Sequence, residues 1–149
     1  MIKTPTREDY LNYDGAHTHK LWMSCPENWK CPACHRSKFE ILRWTTRSPN
    51  NVTPFGGWIA PLHRHHDHSA NRGSFFARFT EEVICDQCNA SDGSAKRKLN
   101  LPSDFSFSPE EISRFVKATP HDKHELYLDI ALKIYKQIKT EPKPTRFFT

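Results

Sequence analysis

Leu62-His63-Arg64-His65-His66-Asp67-His68 and Val83-Ile84-Cys85-Asp86-Gln87-Cys88-Asn89-Ala90-Ser91-Asp92-Gly93 are the two stretches on which the fold turns. The second contains a knuckle, in which two residues between paired cysteines let both sulfurs reach one ion. Its mate lies upstream at Cys31-Pro32-Ala33-Cys34, so Cys31, Cys34, Cys85 and Cys88 can together bind one tetrahedral zinc. Four thiolates leave no coordination position open, so that ion is structural. The excursion from residue 35 to residue 84 must leave and return to one point, and the zinc pins its base. The alternative is a different ligand set completed by His35 or Cys25; otherwise Cys25 is a spare buried thiol. Disulfides fit less well, because Met1-Ile2-Lys3-Thr4-Pro5 lacks the apolar core of a secretory signal and a reducing cytoplasm is expected.

His63, His65, His66 and His68 crowd into one short stretch of a chain with 9 histidines. On a strand His63 and His65 would face one way and His66 and His68 the other, unless the strand ends there. The expected order is a strand through the histidines, a turn at 69–74, a second strand at 75–84 and a helix over 89–99, which makes a ββα unit. Neutral imidazole can take a proton from water near neutral pH. A divalent ion can offset charge developing on a phosphate, and an asparagine oxygen can help hold it. Asn89 directly follows the last cysteine, so the knuckle would fix it relative to the histidines. Surface polar residues, or a second zinc site without catalysis, are the other readings of the cluster.

The flanks are less informative. Residues 1–30 form an arm without a clean period, which Trp22 and Trp29 are expected to pack against the zinc module. Phe39–Trp44 reads as a short strand and 48–57 as loop. Ser108, Pro109 and Glu111 spell a capping box with proline at the first helical position. Thr119, Pro120 and Asp122 read as the start of the next helix. Tyr127, Ile130, Ala131, Ile134 and Ile138 recur at helical steps, and Pro142 and Pro144 rule out further helix. The expected fold is small α+β: an arm at 1–30, a zinc-stapled ββα-metal core at 31–99 with an insertion at 36–62, and a helical segment at 100–149. The apolar stripe is wider than a short helical hairpin needs, so a homodimer is expected.

Net charge is +5, from 22 Lys+Arg against 17 Asp+Glu. Arg36, Lys38, Arg43, Arg47, Arg64 and Arg72 face only Glu40 and Asp67 across the middle of the chain, and Lys96-Arg97-Lys98 is the densest basic run. A basic middle suits a polyanion, and its excess of arginine suits guanine reading in a major groove. No apolar run approaches the ~18 residues needed to span a bilayer, so no membrane partner is expected.

The two quoted stretches, with Cys31-Pro32-Ala33-Cys34, resemble the HNH or ββα-metal endonucleases, in particular the recombination endonuclease VII group, whose two zinc knuckles flank the active hairpin. The resemblance covers residues 31–99. It implies that His65 and Asn89 hold a catalytic Mg²⁺ or Mn²⁺ and that His66 is the general base. In this register Asp67 would orient a neighbour and His68 would assist at the metal or contact a phosphate; Asp67-His68 is the alternative catalytic pair. Histidine stands at residue 65 where this group more often has aspartate, which softens the ligand set. Arg64, Lys96 and Arg97 are the expected phosphate contacts. The implied activity is hydrolysis of double-stranded DNA, site-specific in the manner of restriction or homing enzymes, leaving 5′-phosphate and 3′-hydroxyl ends. A Holliday-junction or branched-DNA resolving nuclease is the second reading. A zinc-dependent nucleic-acid-binding module without catalysis is the third.

Overall fold

The computed structural model describes residues 2–46, 56–68 and 77–140. Thr6 and Asp9 exchange hydrogen bonds in a capping box that starts α1 (Arg7–Asn12). A 3-10 turn, Ala16–Thr18, then leads into α2 (His19–Ser24). Gly15 makes that entry possible, since its φ is +92° and a Cβ there would lie 2.6 Å from Trp22 Cβ. The arm is therefore helical, although no period announces it. As expected, it docks through its tryptophans: Trp22 is buried edge-on to Tyr10 and Tyr13, and Trp29 packs at the margin of the core. The Ala60 N–H donates to Tyr13 Oη at 3.0 Å, and buried Lys38 donates to the carbonyls of Trp22 and Cys25 at 2.9 and 3.0 Å.

Beyond the first knuckle the expected strand over Phe39–Trp44 is instead a turn of helix, α3 (Lys38–Ile41), followed by β1 (Arg43–Thr45). Ser37 and Glu40 form a second capping box, and it prevails over the strand preference of Phe39 and Ile41. β1 pairs antiparallel with β2 (Gly57–Ile59), placing Trp44 opposite Trp58 with their rings 5.2 Å apart. Most of the expected loop at 48–57, and Arg47 and Arg72, lie outside the described residues.

β3 (Leu62–His65) and β4 (Glu82–Cys85) pair antiparallel, with Leu62 opposite Cys85 and His65 opposite Glu82. The second strand is shorter than expected, because 77–81 are not strand. α4 (Asp86–Lys98) starts at Asp86 rather than at Asn89, with Cys85 in the N-cap position. The knuckle is thus itself the junction of strand and helix. The Asp86 N–H donates to Pro61 O at 2.9 Å, extending the ladder past β4.

Ser108, Pro109 and Glu111 start α5 (Pro109–Phe115) as their capping box implies. Thr119 does not start the next helix. Residues 119–122 instead turn between β5 (Val116–Lys117) and β6 (Glu125–Leu126), with Asp122 N–H donating to Thr119 O at 3.3 Å and His121 at φ +64°. Proline suits the second position of a tight turn as well as the first position of a helix, so one signal serves both. Tertiary contacts hold the turn: Arg36 donates to the carbonyls of Thr119 and Asp122 at 2.9 and 3.1 Å, and the His121 N–H donates to Glu40 O at 2.8 Å. α6 (Leu128–Thr140) follows; its Ala131 and Ile134 are buried, Ile130 and Ile138 partly so, and Tyr127 stands exposed before its first turn. The largest fully buried side chains are Phe107, Phe115, Leu42, Leu62, Ile84 and Ile112, each stabilising by roughly 1.5–3 kcal/mol. No helix among the described residues is long and apolar enough to cross a membrane.

Candidate metal centre and histidine cluster

The first knuckle turns between α2 and α3, held by Cys31 N–H to Arg36 O at 2.9 Å and His35 N–H to Cys31 O at 2.7 Å. It faces the second across the end of β4. The four sulfurs of Cys31, Cys34, Cys85 and Cys88 lie within 4.8 Å of one another, with Cys31–Cys88 at 3.8 Å and Cys34–Cys85 at 3.7 Å. Sulfurs at about 2.3 Å from a tetrahedral zinc stand about 3.8 Å apart, so these residues fit the ion. All five cysteines are free thiols; Cys25 is buried beside Lys38, and neither it nor His35 joins the cluster. Contacts with Cys31, then Cys85 and Cys88, draw the Cys34 thiol far below the ordinary thiol range, while contacts with Cys31 and Cys34 push Cys88 above it. Sulfurs this close cannot all ionise without a cation among them.

The histidines part company at the end of β3. His63 turns to Asp86, with Nε2 at 3.1 Å from Oδ1, and Arg43 reaches the other oxygen at 3.5 Å. Burial would raise the Asp86 pKa, but His63 and Arg43 outweigh it and hold the carboxyl below its ordinary range. His65 is only 3% exposed; its ring stacks on Phe79, and Nε2 lies 2.6 Å from the Phe107 carbonyl. A carbonyl can only accept, so Nε2 carries the hydrogen, and in the corresponding tautomer the lone pair is on Nδ1. His66 is half-buried with its ring 4.7 Å from that of His68. Burial, and then the nearby Lys96 and His66, lower the His68 pKa below its ordinary value. Asp67, 3% exposed, accepts the Arg78 N–H at 2.8 Å. Asn89 is half-buried in the first turn of α4.

A short segment that carried no functional signal in the sequence organises this end of the sheet. Phe105 O accepts from Lys96 Nζ at 2.8 Å, and Ser106 O accepts from Arg78 Nη2 at 2.6 Å. Ser106 Oγ accepts the His68 N–H at 3.1 Å, Phe107 N–H donates to Asp92 Oδ1 at 2.8 Å, and Phe107 O takes His65. Residues 105–107 are therefore a strap that fixes His65 and the helix face opposite it through the backbone, and His68 through the Ser106 hydroxyl. Arg78 ties the strap to α5 through a forked pair with Glu111 at 2.9 and 3.1 Å. Lys96 is committed to Asp92 at 2.9 Å as well as to the strap, whereas Arg64 and Arg97 are exposed.

Compared with protein-family models, with curated proteins and with solved structures, the chain finds no match in any of the three. Sequence reasoning missed Asp92, Arg78, Ser106 and Phe107. Only the i,i+4 spacing of Asp92 and Lys96 offered a signal.

Proposed function

We propose that this chain is a metal-dependent endonuclease that hydrolyses phosphodiester bonds of double-stranded DNA, site-specific in the manner of restriction or homing enzymes. The observation that carries this reading is the environment of His65. A buried ring that donates one N–H to a backbone carbonyl has its tautomer and orientation fixed for ligation through the other nitrogen, the usual arrangement of a metal-binding histidine. His65 Nδ1 and the Asn89 side-chain oxygen would hold Mg²⁺ or Mn²⁺, whose charge would offset that developing on the phosphate. His66, next on the chain and less buried, takes a proton from the water that attacks phosphorus. The bond to the 3′ oxygen breaks, and that oxygen takes a proton from solvent, leaving a 5′-phosphate and a 3′-hydroxyl. Exposed Arg64 and Arg97 supply charge for the DNA backbone, and salt should weaken binding accordingly.

The test incubates purified protein with plasmid and with a four-way junction, with and without Mg²⁺ or Mn²⁺, and maps the cut ends. Discrete duplex fragments support the reading, and junction-only cutting would favour a resolving nuclease. Binding without metal-dependent nicking would leave a zinc-dependent binding module. His66→Ala should abolish cleavage while leaving zinc content and DNA binding intact; cutting at the wild-type rate would sink the assignment of His66 as base.

A further inference from the structure

Four thiolates around one divalent ion carry a net charge of −2, and here three of the four cysteines are 2% exposed or less. Buried charge of that kind needs donors close by. Two side chains from outside the knuckles supply them. Arg36 is itself only 4% exposed, and its guanidinium is divided between two tasks. Nε points at Cys34 Sγ at 3.3 Å and Nη2 at Cys85 Sγ at 3.6 Å, while Nη1 donates to the carbonyls of Thr119 and Asp122 at 2.9 and 3.1 Å. His124 Nε2 lies 3.2 Å from Cys88 Sγ, and the His124 N–H donates to Gln87 Oε1 at 3.3 Å. Three of the four sulfurs thus face a side-chain donor from outside the knuckles, and each of these side-chain contacts either comes from or is anchored to the turn between β5 and β6; the fourth, Cys31 Sγ, faces the Cys85 N–H at 3.5 Å.

We propose that Arg36 and His124 are the outer donors that retain zinc in the four-cysteine site, and that through them the 119–124 turn is held in place by the metal. A hydrogen bond to a metal-bound thiolate stabilises its charge and lowers its readiness to be protonated, alkylated or oxidised. The coupling is reciprocal: a donor that favours the zinc-loaded cluster is itself ordered by that cluster. Arginine is the residue suited to the task, because its planar fork serves two sulfurs and two carbonyls at once.

The experiment follows zinc rather than cleavage, so it stands or falls separately from the nuclease reading. Full-length, zinc-loaded wild type, Arg36→Met, Arg36→Lys and His124→Phe are mixed with a chromogenic chelator, alone and after N-ethylmaleimide, and zinc release is timed. Loss of an outer partner should speed release about 10- to 100-fold, with Arg36→Lys between Arg36→Met and wild type. Cobalt-substituted wild type and His124→Phe should differ in their thiolate-to-metal charge-transfer bands, which a loss of packing alone would not move. Should Arg36→Met fail to fold, His124→Phe and hydrogen exchange on the wild type decide the matter. Amides in 118–124 should lose protection in step with zinc removal. Release rates within twofold of wild type for both His124→Phe and Arg36→Lys, or unchanged exchange in 118–124 after chelation, would overturn the proposal. A wild type that contains no zinc on elemental analysis would overturn the site itself.

Discussion

Asp92→Ala is the perturbation that most directly questions the strap at 105–107. The Asp92 side chain is 5% exposed and that of Lys96 11%, so their 2.9 Å contact is shielded from water. Asp92 also accepts the Phe107 N–H at 2.8 Å. Truncation strands a buried ammonium, an error that typically costs about 3–5 kcal/mol, and orphans a backbone N–H, typically about 1–3 kcal/mol. Lys96 keeps the Phe105 carbonyl at 2.8 Å, which places the net loss near the lower end, about 3–4 kcal/mol. For a chain of this size that lowers Tm by roughly 6–16 °C. Urea unfolding of zinc-loaded protein measures it, in a double-mutant cycle with Lys96→Met. The double variant should recover at least about 1 kcal/mol of the summed losses, because no cation is left stranded. Asp92→Asn separates structure from charge: it keeps an acceptor for Phe107, so it should hold the His65 contact and retain any cleavage better than Asp92→Ala. A loss below about 1 kcal/mol for Asp92→Ala, or additivity within about 0.5 kcal/mol, would refute the claim that this pair secures the strap.

Chelating the zinc should abolish cooperative unfolding, since the ion supplies folding free energy; a melting curve indistinguishable from the loaded protein would count against the four-cysteine site. Gly15→Ala should cost about 1–3 kcal/mol in urea unfolding, because alanine is strained at φ +92° and its Cβ would meet Trp22 at 2.6 Å; a neutral result would mean the arm docks otherwise. Burial opposes the Glu111 charge, but Arg78 and the Ser108 cap outweigh it and hold its pKa below the ordinary 4.5. A depressed carboxyl contributes stability that is fully present above the unfolded value and lost as pH falls through the folded one. Glu111→Gln should therefore be less stable than wild type at pH 7, with the gap narrowing below about pH 4.5; a gap that stays constant down to pH 3 would remove Glu111 from the account.

What was legible in the sequence was short-range. Two cysteines spaced for one ion, or Ser108 and Glu111 spaced for one helical turn, carry their geometry in a few consecutive residues, and the structure has both. Ser37 and Glu40 offered the same box as Ser108 and Glu111, but Phe39 within it and Ile41 just after it also suit a strand, so α3 was read as one. Thr119-Pro120 was ambiguous for a deeper reason. Proline pre-sets φ for a helix start and for a tight turn alike, and the contacts that favour the turn come from Arg36, Glu40 and Leu42, far away in sequence.

The strap shows why the rest was hidden. Its contacts to Lys96, Arg78, Asp92 and His65 use main-chain groups, which every non-proline residue possesses, so Phe105-Ser106-Phe107 could not advertise them. What makes the segment specific is burial: Ser106 and Phe107 are wholly covered, with Phe107 packed edge-on to Phe105 and Phe115. The aromatic side chains hold the segment in place and the peptide groups then do the organising. Arg36 hides differently. In the sequence it was one of several arginines in a basic middle, a class of residue expected in solvent or on DNA. Yet four thiolates around a divalent ion would carry a net charge of −2, and a buried cation such as Arg36 beside the four clustered cysteines would offset part of it. Charge counted at the metal site, rather than along the chain, asks for such a cation, but only the fold says which arginine supplies it.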